Sequence, residues 1–143
     1  MNPKILLKIA AIIMLLHALG HTVGVATWKT KGDVPTQVIQ TMQESEFNFM
    51  GKESSTMAGF YTGFGYCGTI LLLFIATLLW TVSSWKDRST AIPILWLIAC
   101  STLSLAVVEI IYFFPMAVAF CLISVILVFL SIWKFNKTSN ESQ

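Results

Sequence analysis

Apolar residues along this chain are gathered into four long blocks, separated by shorter polar or charged segments. A helix needs about 20 mostly apolar residues to cross roughly 30 Å of hydrocarbon, and the blocks are of that order. Helix is the expected conformation, because lipid offers no partner to an unpaired backbone and the blocks lack the alternation of a membrane β-strand. The sequence therefore predicts an all-α fold, a four-helix transmembrane bundle that forms a single integral membrane domain over residues 1–143. Its predicted spans are 5–26, 57–82, 91–114 and 116–133.

Composition supports this prediction. Hydrophobic residues make up 56% of the chain and charged residues only 11%, which excludes an ordinary soluble domain. The formal net charge is +2 and no basic cluster exceeds two residues. A nucleic-acid partner is therefore not expected, and the partner that the composition does predict is the lipid bilayer.

The positions of lysine and arginine predict the orientation of the spans. Short loops rich in these residues stay in the cytoplasm. Such residues precede or open the first block, separate the second from the third and follow the fourth: Lys4, Lys8, Lys86, Arg88, Lys134 and Lys137. We therefore expect both termini in the cytoplasm, and we expect the loop between the first two spans and the tight turn at 113–115 on the outer side.

The first outer loop carries apolar residues at roughly helical spacing among polar ones. After Pro35 these residues are Val38, Ile39, Met42, Phe47, Phe49 and Met50. The pattern predicts an amphipathic segment, a helix that lies on the outer membrane surface or caps the bundle. For the second half of this segment, an irregular polar loop is the alternative.

The N-terminal block has an alternative interpretation as a signal peptide. Lys4 and Lys8, the apolar run and the small residues at 18–20 match the charged region, core and cleavage site of such a peptide. Cleavage would remove His17 and leave three spans. The apolar run continues to Ala26, which is longer than a signal core usually is, and this favours a span.

The three cysteines give no sign of a cluster. Cys67, Cys100 and Cys121 lie in three different blocks, without Cys-x-x-Cys spacing. A free cysteine in an apolar helix behaves as a small buried hydrophobic residue, so no chemistry is predicted for these three.

Two histidines, the only ones in the chain, lie four residues apart in the first block, at His17 and His21. At 100° per residue they share one helical stripe with Gly20 and Gly24, and these small residues predict that the stripe faces another helix. Polar groups at membrane depth are costly and usually face a bundle interior or a wet cavity. Counted from Ile5, a rise of 1.5 Å per residue puts the histidines about 18 Å and 24 Å deep, in the outer half of the membrane.

Glu109 is the only acidic residue inside a predicted span, and it falls at a similar depth. By the same rise it lies about 27 Å from Ala91 along the third span. The second span runs inward from the outer surface, so its first polar side chains belong to this layer as well. The sequence predicts a ligand-binding layer in the outer leaflet that consists of His17, His21, Glu109, Tyr61, Thr62 and Tyr66.

Several interpretations of this layer stay open. It could line a pocket for a small amphipathic ligand or a proton. It could hold a metal ion on His17, His21 and Glu109, because imidazoles at i and i+4 can chelate one ion and a carboxylate can complete the set. The segment between the histidines lacks the glutamate of a His-Glu-x-x-His motif, which disfavours hydrolytic zinc chemistry. Two histidines one turn apart cannot reach opposite faces of one haem, which excludes bis-histidine ligation within a monomer.

A purely structural interpretation is also open. In that case imidazole and carboxylate pair across the bundle and fix the register of the helices. Polar contacts of this kind contribute on the order of 0.6 to 2 kcal/mol in membranes.

Two motifs resemble those of a group of proteins. They are His-Ala-Leu-Gly-His-Thr-Val-Gly at 17–24, and Phe-Asn-Phe-Met-Gly at 47–51 followed by Phe-Tyr-Thr-Gly-Phe-Gly at 60–65. Together they resemble small bacterial membrane proteins with four spans and no assigned biochemical activity. The resemblance covers roughly the first half of the chain and implies a multi-pass protein of the bacterial inner membrane; it assigns no catalytic role to any residue. In similar sequences an aromatic–acidic pair precedes the second motif, whereas Ala58 and Gly59 stand here, so no site that needs a carboxylate at that point is expected.

The function that these features favour is binding of a small amphipathic ligand, or support of a partner complex, through the outer-leaflet layer. The alternative is a membrane enzyme of isomerase or redox type that acts on a lipid-like substrate, because a histidine and a glutamate suffice for general acid–base chemistry. A structural subunit without a ligand is the third possibility. The sequence specifies no cofactor.

Overall fold

A computed structural model describes residues 2–140 of the chain. Four of its helices are long and apolar enough to cross a membrane, which confirms the predicted all-α fold with four candidate spans. A short helix and a β-hairpin connect the first two of them. The elements are α1 (Pro3–Thr27), α2 (Thr36–Glu44), β1 (Glu46–Phe49), β2 (Lys52–Thr56), α3 (Met57–Ser84), α4 (Arg88–Tyr112) and α5 (Pro115–Asn140).

The start of α4 is set by an N-cap. The Asp87 carboxylate accepts hydrogen bonds from the Ser89 backbone N–H at 3.0 Å and from the Ser89 and Thr90 hydroxyls. An aspartate here satisfies N–H groups that have no partner within the helix. The helix therefore begins three residues before the predicted span, and Pro93 lies inside it.

The connection between α1 and α3 is helical only in its first half. Helix α2 carries the predicted apolar residues up to Met42. The second half is an antiparallel β-hairpin instead of a helix or an irregular loop. Its turn is made by Met50 and Gly51, both at positive φ (46° and 85°), as in the two-residue turns that match the twist of paired strands.

The first of two compact units comprises residues 1–17 and 72–143. It contains the beginning of α1, the second half of α3, and helices α4 and α5, which pack against each other. Small side chains are buried on both of these helices, among them Ala99 and Ala106 on α4 and Ser124 and Ser131 on α5. Such residues let helix backbones approach closely in a membrane.

The second unit, residues 18–71, contains the end of α1, helix α2, the hairpin and the beginning of α3. Glycines of α3 allow α1 to pack closely here. A Cβ placed on Gly65 would lie 2.6 Å from Cγ2 of Val25, and one placed on Gly68 would lie 2.9 Å from Nε2 of His21. The close approach therefore depends on the absence of a side chain at two positions of α3.

The glycines of α1 do not have the role predicted for them. A Cβ on Gly20 or Gly24 meets nothing within 4 Å among the described residues, and the same holds for Gly63 on α3. The expectation that Gly20 and Gly24 mark a contact face is wrong within this chain. The reason is that α1 contributes the larger side chains to this helix pair and α3 contributes the small ones.

Candidate functional site

His17 and Glu109 meet in the first unit. The Nε2 atom of His17 lies 3.4 Å from Oε1 of Glu109. Both side chains are buried, with 6% and 4% of the residue surface exposed. The structure thus brings Glu109 of α4 next to His17 of α1, one of the two histidines in the predicted layer.

Cys121 completes this cluster, from α5. Its Sγ atom lies 3.7 Å from Nδ1 of His17, and the residue has no exposed surface. One ligand atom from each of the three residues can be chosen so that all lie within 4.8 Å of one another. The Phe120 ring stacks on the His17 imidazole, with centroids 5.5 Å apart. We call His17, Glu109 and Cys121 the buried triad.

The sequence reasoning missed Cys121, although a signal for it exists. Helix α4 ends at Tyr112 and α5 begins at Pro115, so the two helices form a tight antiparallel hairpin. Glu109 lies six residues before Pro115 and Cys121 lies six residues after it. At about 1.5 Å per residue, both lie about 9 Å from the turn and therefore at the same depth.

The Glu109 carboxyl contacts the Cys121 thiol as well as the His17 ring, but one of its oxygens has no well-formed hydrogen bond to a described residue. Atom Oε2 of Glu109 is buried and has no hydrogen-bond partner among residues 2–140, and the same is true of the Ser124 hydroxyl oxygen. A carboxylate removed from water is costly unless it is paired, hydrogen-bonded or bound to a metal. The His17 contact accounts for only one of the two Glu109 oxygens.

The other predicted site residues belong to the second unit. His21 packs against Gly68. The Thr62 hydroxyl accepts a hydrogen bond from the indole N–H of Trp28 at 3.2 Å and donates one to the Ala58 carbonyl. Tyr61 meets the Trp28 ring edge-on, and about half of its surface is exposed.

Tyr66 is also about half exposed. The two tyrosines therefore present their rings outward from the second unit, as aromatic side chains do at the boundary between lipid and water. Of the six predicted residues, His17 and Glu109 belong to the first unit, and His21, Tyr61, Thr62 and Tyr66 belong to the second.

The second unit also holds a groove that the sequence reasoning did not find. Its volume is about 490 Å³, and we call it the hairpin groove. Hydroxyl side chains line one end and an apolar face of α3 lines the other. The lining residues are Ser54, Ser55, Thr56, Gly59, Phe60, Gly63, Phe64 and Cys67.

Aromatic rings form one side of the hairpin groove. The Phe47 ring of β1 meets the Phe60 ring edge-on at 5.8 Å, and Phe60 meets Phe64 at 4.7 Å between centroids. The groove depends on the hairpin, which brings the hydroxyl residues of β2 next to the first turns of α3. Because the hairpin itself was not predicted, neither was the groove.

No protein-family model, curated protein or solved structure matches this chain. The resemblance of its motifs to four-span bacterial membrane proteins therefore stays a prediction.

Proposed function

We propose that this multi-pass membrane protein binds a small amphipathic ligand in the hairpin groove. The observation that supports the proposal is the groove itself, which has hydroxyl groups at one end and an apolar lining at the other. Its volume of about 490 Å³ falls within the usual range for small-molecule sites, roughly 300 to 1,000 Å³. A ligand with one apolar chain and a small hydrogen-bonding head fits this distribution of side chains.

The length of the groove suits one membrane leaflet. The α3 residues that line the groove run from Gly59 to Cys67, which are eight residues apart. At about 1.5 Å per residue, the groove follows α3 for about 12 Å, a little less than half of the hydrocarbon thickness of roughly 30 Å. The hydroxyl residues of β2 precede Met57 and would face the head of the ligand at the membrane surface.

Ligand binding is favoured over acid–base catalysis by the burial of the triad. A lipid-like substrate would have to reach His17 and Glu109, which are only 6% and 4% exposed. The hairpin groove is open to its surroundings, and Phe60 and Phe64 in its lining are exposed. An enzyme remains the alternative hypothesis, and it requires the triad to open.

The predicted orientation forms part of the proposal. Cations lie over aromatic rings near the ends of the helices of the first unit: Lys8 over Trp80, Arg88 over Phe135 and Lys134 over Trp133. Cations and aromatic rings together are typical of the membrane–water interface. These pairs support an interface there. From the lysine and arginine bias we propose that it is the cytoplasmic one, and from the motif resemblance that the membrane is a bacterial inner membrane.

Binding of a dansyl-labelled single-chain fatty acid to the detergent-purified protein tests the groove. Gly63→Phe places a ring in the groove at a position where a Cβ meets nothing within 4 Å. We expect it to weaken probe binding by about tenfold or more, which corresponds to about 1.4 kcal/mol. Gly20→Phe is the matched control, because a Cβ on Gly20 is equally unobstructed and Gly20 does not line the groove. Equal affinity of both variants and the unsubstituted chain would refute the proposal.

A further inference from the structure

We propose that the buried triad of His17, Glu109 and Cys121 is a binding site for a divalent transition-metal ion of the zinc type. The three residues come from three different helices and converge within the first unit. The site shares no residue with the hairpin groove, so the two proposals can fail independently.

The distances within the triad fit such an ion. Zinc bonds of about 2.0–2.1 Å to nitrogen and oxygen and about 2.3 Å to sulfur place tetrahedral ligand atoms about 3.3–3.6 Å apart. His17 Nε2 and Glu109 Oε1 are 3.4 Å apart, and the chosen ligand atoms all lie within 4.8 Å of one another. Separations of up to 4.8 Å exceed the tetrahedral values by at most about 1.2–1.5 Å, so the side chains have to move closer together when an ion binds. His17 binds through one ring nitrogen and keeps the other for a hydrogen bond.

An independent observation points to a ligand at the same place. Glu109 Oε2 is buried without a hydrogen-bond partner among the described residues. A carboxylate oxygen in this situation is expected to be satisfied by a hydrogen bond or a metal ion. A cation that the Glu109 carboxylate bound through Oε2, or through both of its oxygens, would satisfy it.

Charge selects the valence of the ion. A neutral imidazole, a carboxylate and a thiolate carry a total charge of −2, which a divalent ion cancels. Net charge in a low-dielectric environment is costly, so a monovalent or trivalent ion at this depth is disfavoured. On binding, the Cys121 thiol proton leaves the site, as does the Glu109 proton wherever that carboxyl is protonated.

The ligand types select the class of metal. Thiolate and imidazole suit zinc and related transition metals, whereas magnesium and calcium require sites made mostly of oxygen. Three protein ligands leave a fourth tetrahedral position, which is the arrangement of zinc sites that bind an exchangeable water or anion. The ligand set differs from the one predicted from sequence, because Cys121 stands in place of His21.

Cobalt(II) substitution of the full-length, detergent-purified and chelator-treated protein tests the site. We expect one Co²⁺ per chain, with a thiolate-to-cobalt charge-transfer band and the visible bands of a tetrahedral ion, and we expect Zn²⁺ to displace it. Cys121→Ser should abolish the charge-transfer band and weaken Zn²⁺ binding by more than about 100-fold, since even loss of an outer partner costs 10- to 100-fold. Cys67→Ser, Cys100→Ser and His21→Asn are the controls and should leave the spectrum unchanged.

Some results would overturn the inference. They are a folded, unsubstituted protein that binds no Co²⁺ at micromolar concentration, a Cys121→Ser variant that keeps the charge-transfer band, or a His21→Asn variant that loses it. If Cys121→Ser does not fold, the test uses thiol labelling of a Cys67→Ser/Cys100→Ser variant instead, in which Cys121 is the cysteine that remains. Zn²⁺ should then slow alkylation of Cys121 at least tenfold, and an unchanged alkylation rate would overturn the inference.

Discussion

Alanine at Gly65 and alanine at Gly63 should have opposite effects on stability, although both glycines lie on α3 within one helical turn. A Cβ at position 65 would lie 2.6 Å from Cγ2 and 2.9 Å from Cγ1 of Val25. The distance of 2.6 Å is far shorter than the optimal separation of two carbon atoms. Ordinary contact begins near 3.4 Å, so either the helices or the valine side chain has to move by about 0.8 Å. Valine is β-branched and has one strongly preferred rotamer in a helix, so it cannot rotate away cheaply.

Overpacking of this kind costs about 1–3 kcal/mol, and we expect Gly65→Ala to lower the free energy of unfolding by that amount. At position 63 a Cβ meets nothing within 4 Å among the described residues. Alanine there should be neutral or stabilise by up to about 1 kcal/mol, because it is the better helix former.

Unfolding of the two variants by a denaturing detergent, followed by circular dichroism, measures the difference directly. The comparison is controlled internally, since the substitution, the helix and the assay are the same. The description of α1 packed closely on α3 at Gly65 is contradicted if Gly65→Ala is as stable as the unsubstituted protein, or if Gly63→Ala is the less stable of the two variants.

Three further predictions concern other parts of the chain. Glu109→Leu should destabilise the metal-free protein by about 1–2 kcal/mol, and Glu109→Gln should destabilise it by clearly less, because the amide can still form a hydrogen bond. If both variants lose the same free energy of unfolding in detergent, the polar contact between Glu109 and His17 does not contribute to stability. Hydrogen bonds from Thr90 and Ser89 hold the pKa of Asp87 below its ordinary value of 3.8, so their stabilising effect is present above pH 3.8 and is lost as the pH falls through the lowered value. Asp87→Asn should remove this part of the acid dependence, which unfolding at pH 7 and pH 3 would show. Reporter fusions at Asp87 and at the C-terminus should report cytoplasm and one at Asp33 the outside; an external C-terminus would contradict the orientation.

The spans could be predicted because their cause is local. A block of about 20 apolar residues has few alternatives to a membrane helix, and the structure agrees with the predicted blocks to within a few residues, except that α5 continues past residue 133.

The hairpin could not be predicted from the spacing of apolar residues. Phe47 and Phe49 alternate with polar residues over only four positions, which also fits an irregular loop, and the two-residue turn at Met50 and Gly51 depends on backbone angles that composition does not reveal.

For the candidate site, the sequence could predict only how deep in the membrane each polar residue lies. Depth along each helix placed both histidines and Glu109 in the outer half of the membrane, with His21, at about 24 Å, nearer to the level of Glu109, at about 27 Å, than His17, at about 18 Å. In the structure it is His17 that contacts Glu109. Which face of one helix meets which neighbour is a property of packing, and depth along a helix does not reveal it; the packing of His21 against Gly68 could therefore not be predicted. Cys121 was treated as a hydrophobic residue because its type alone carries no chemistry.

Photo-crosslinking tests the central proposal, a single-chain amphiphile bound in the hairpin groove, most directly. A fatty acid with a diazirine in its tail would be irradiated with the protein in lipid nanodiscs, and the adducts would be located by mass spectrometry. We expect them to be concentrated on the α3 residues that line the groove, Gly59 to Cys67, and to be lost in Gly63→Phe but retained in Gly20→Phe. Adducts spread evenly over the lipid-facing residues of all four spans would show ordinary boundary lipid and would contradict a binding site in the groove.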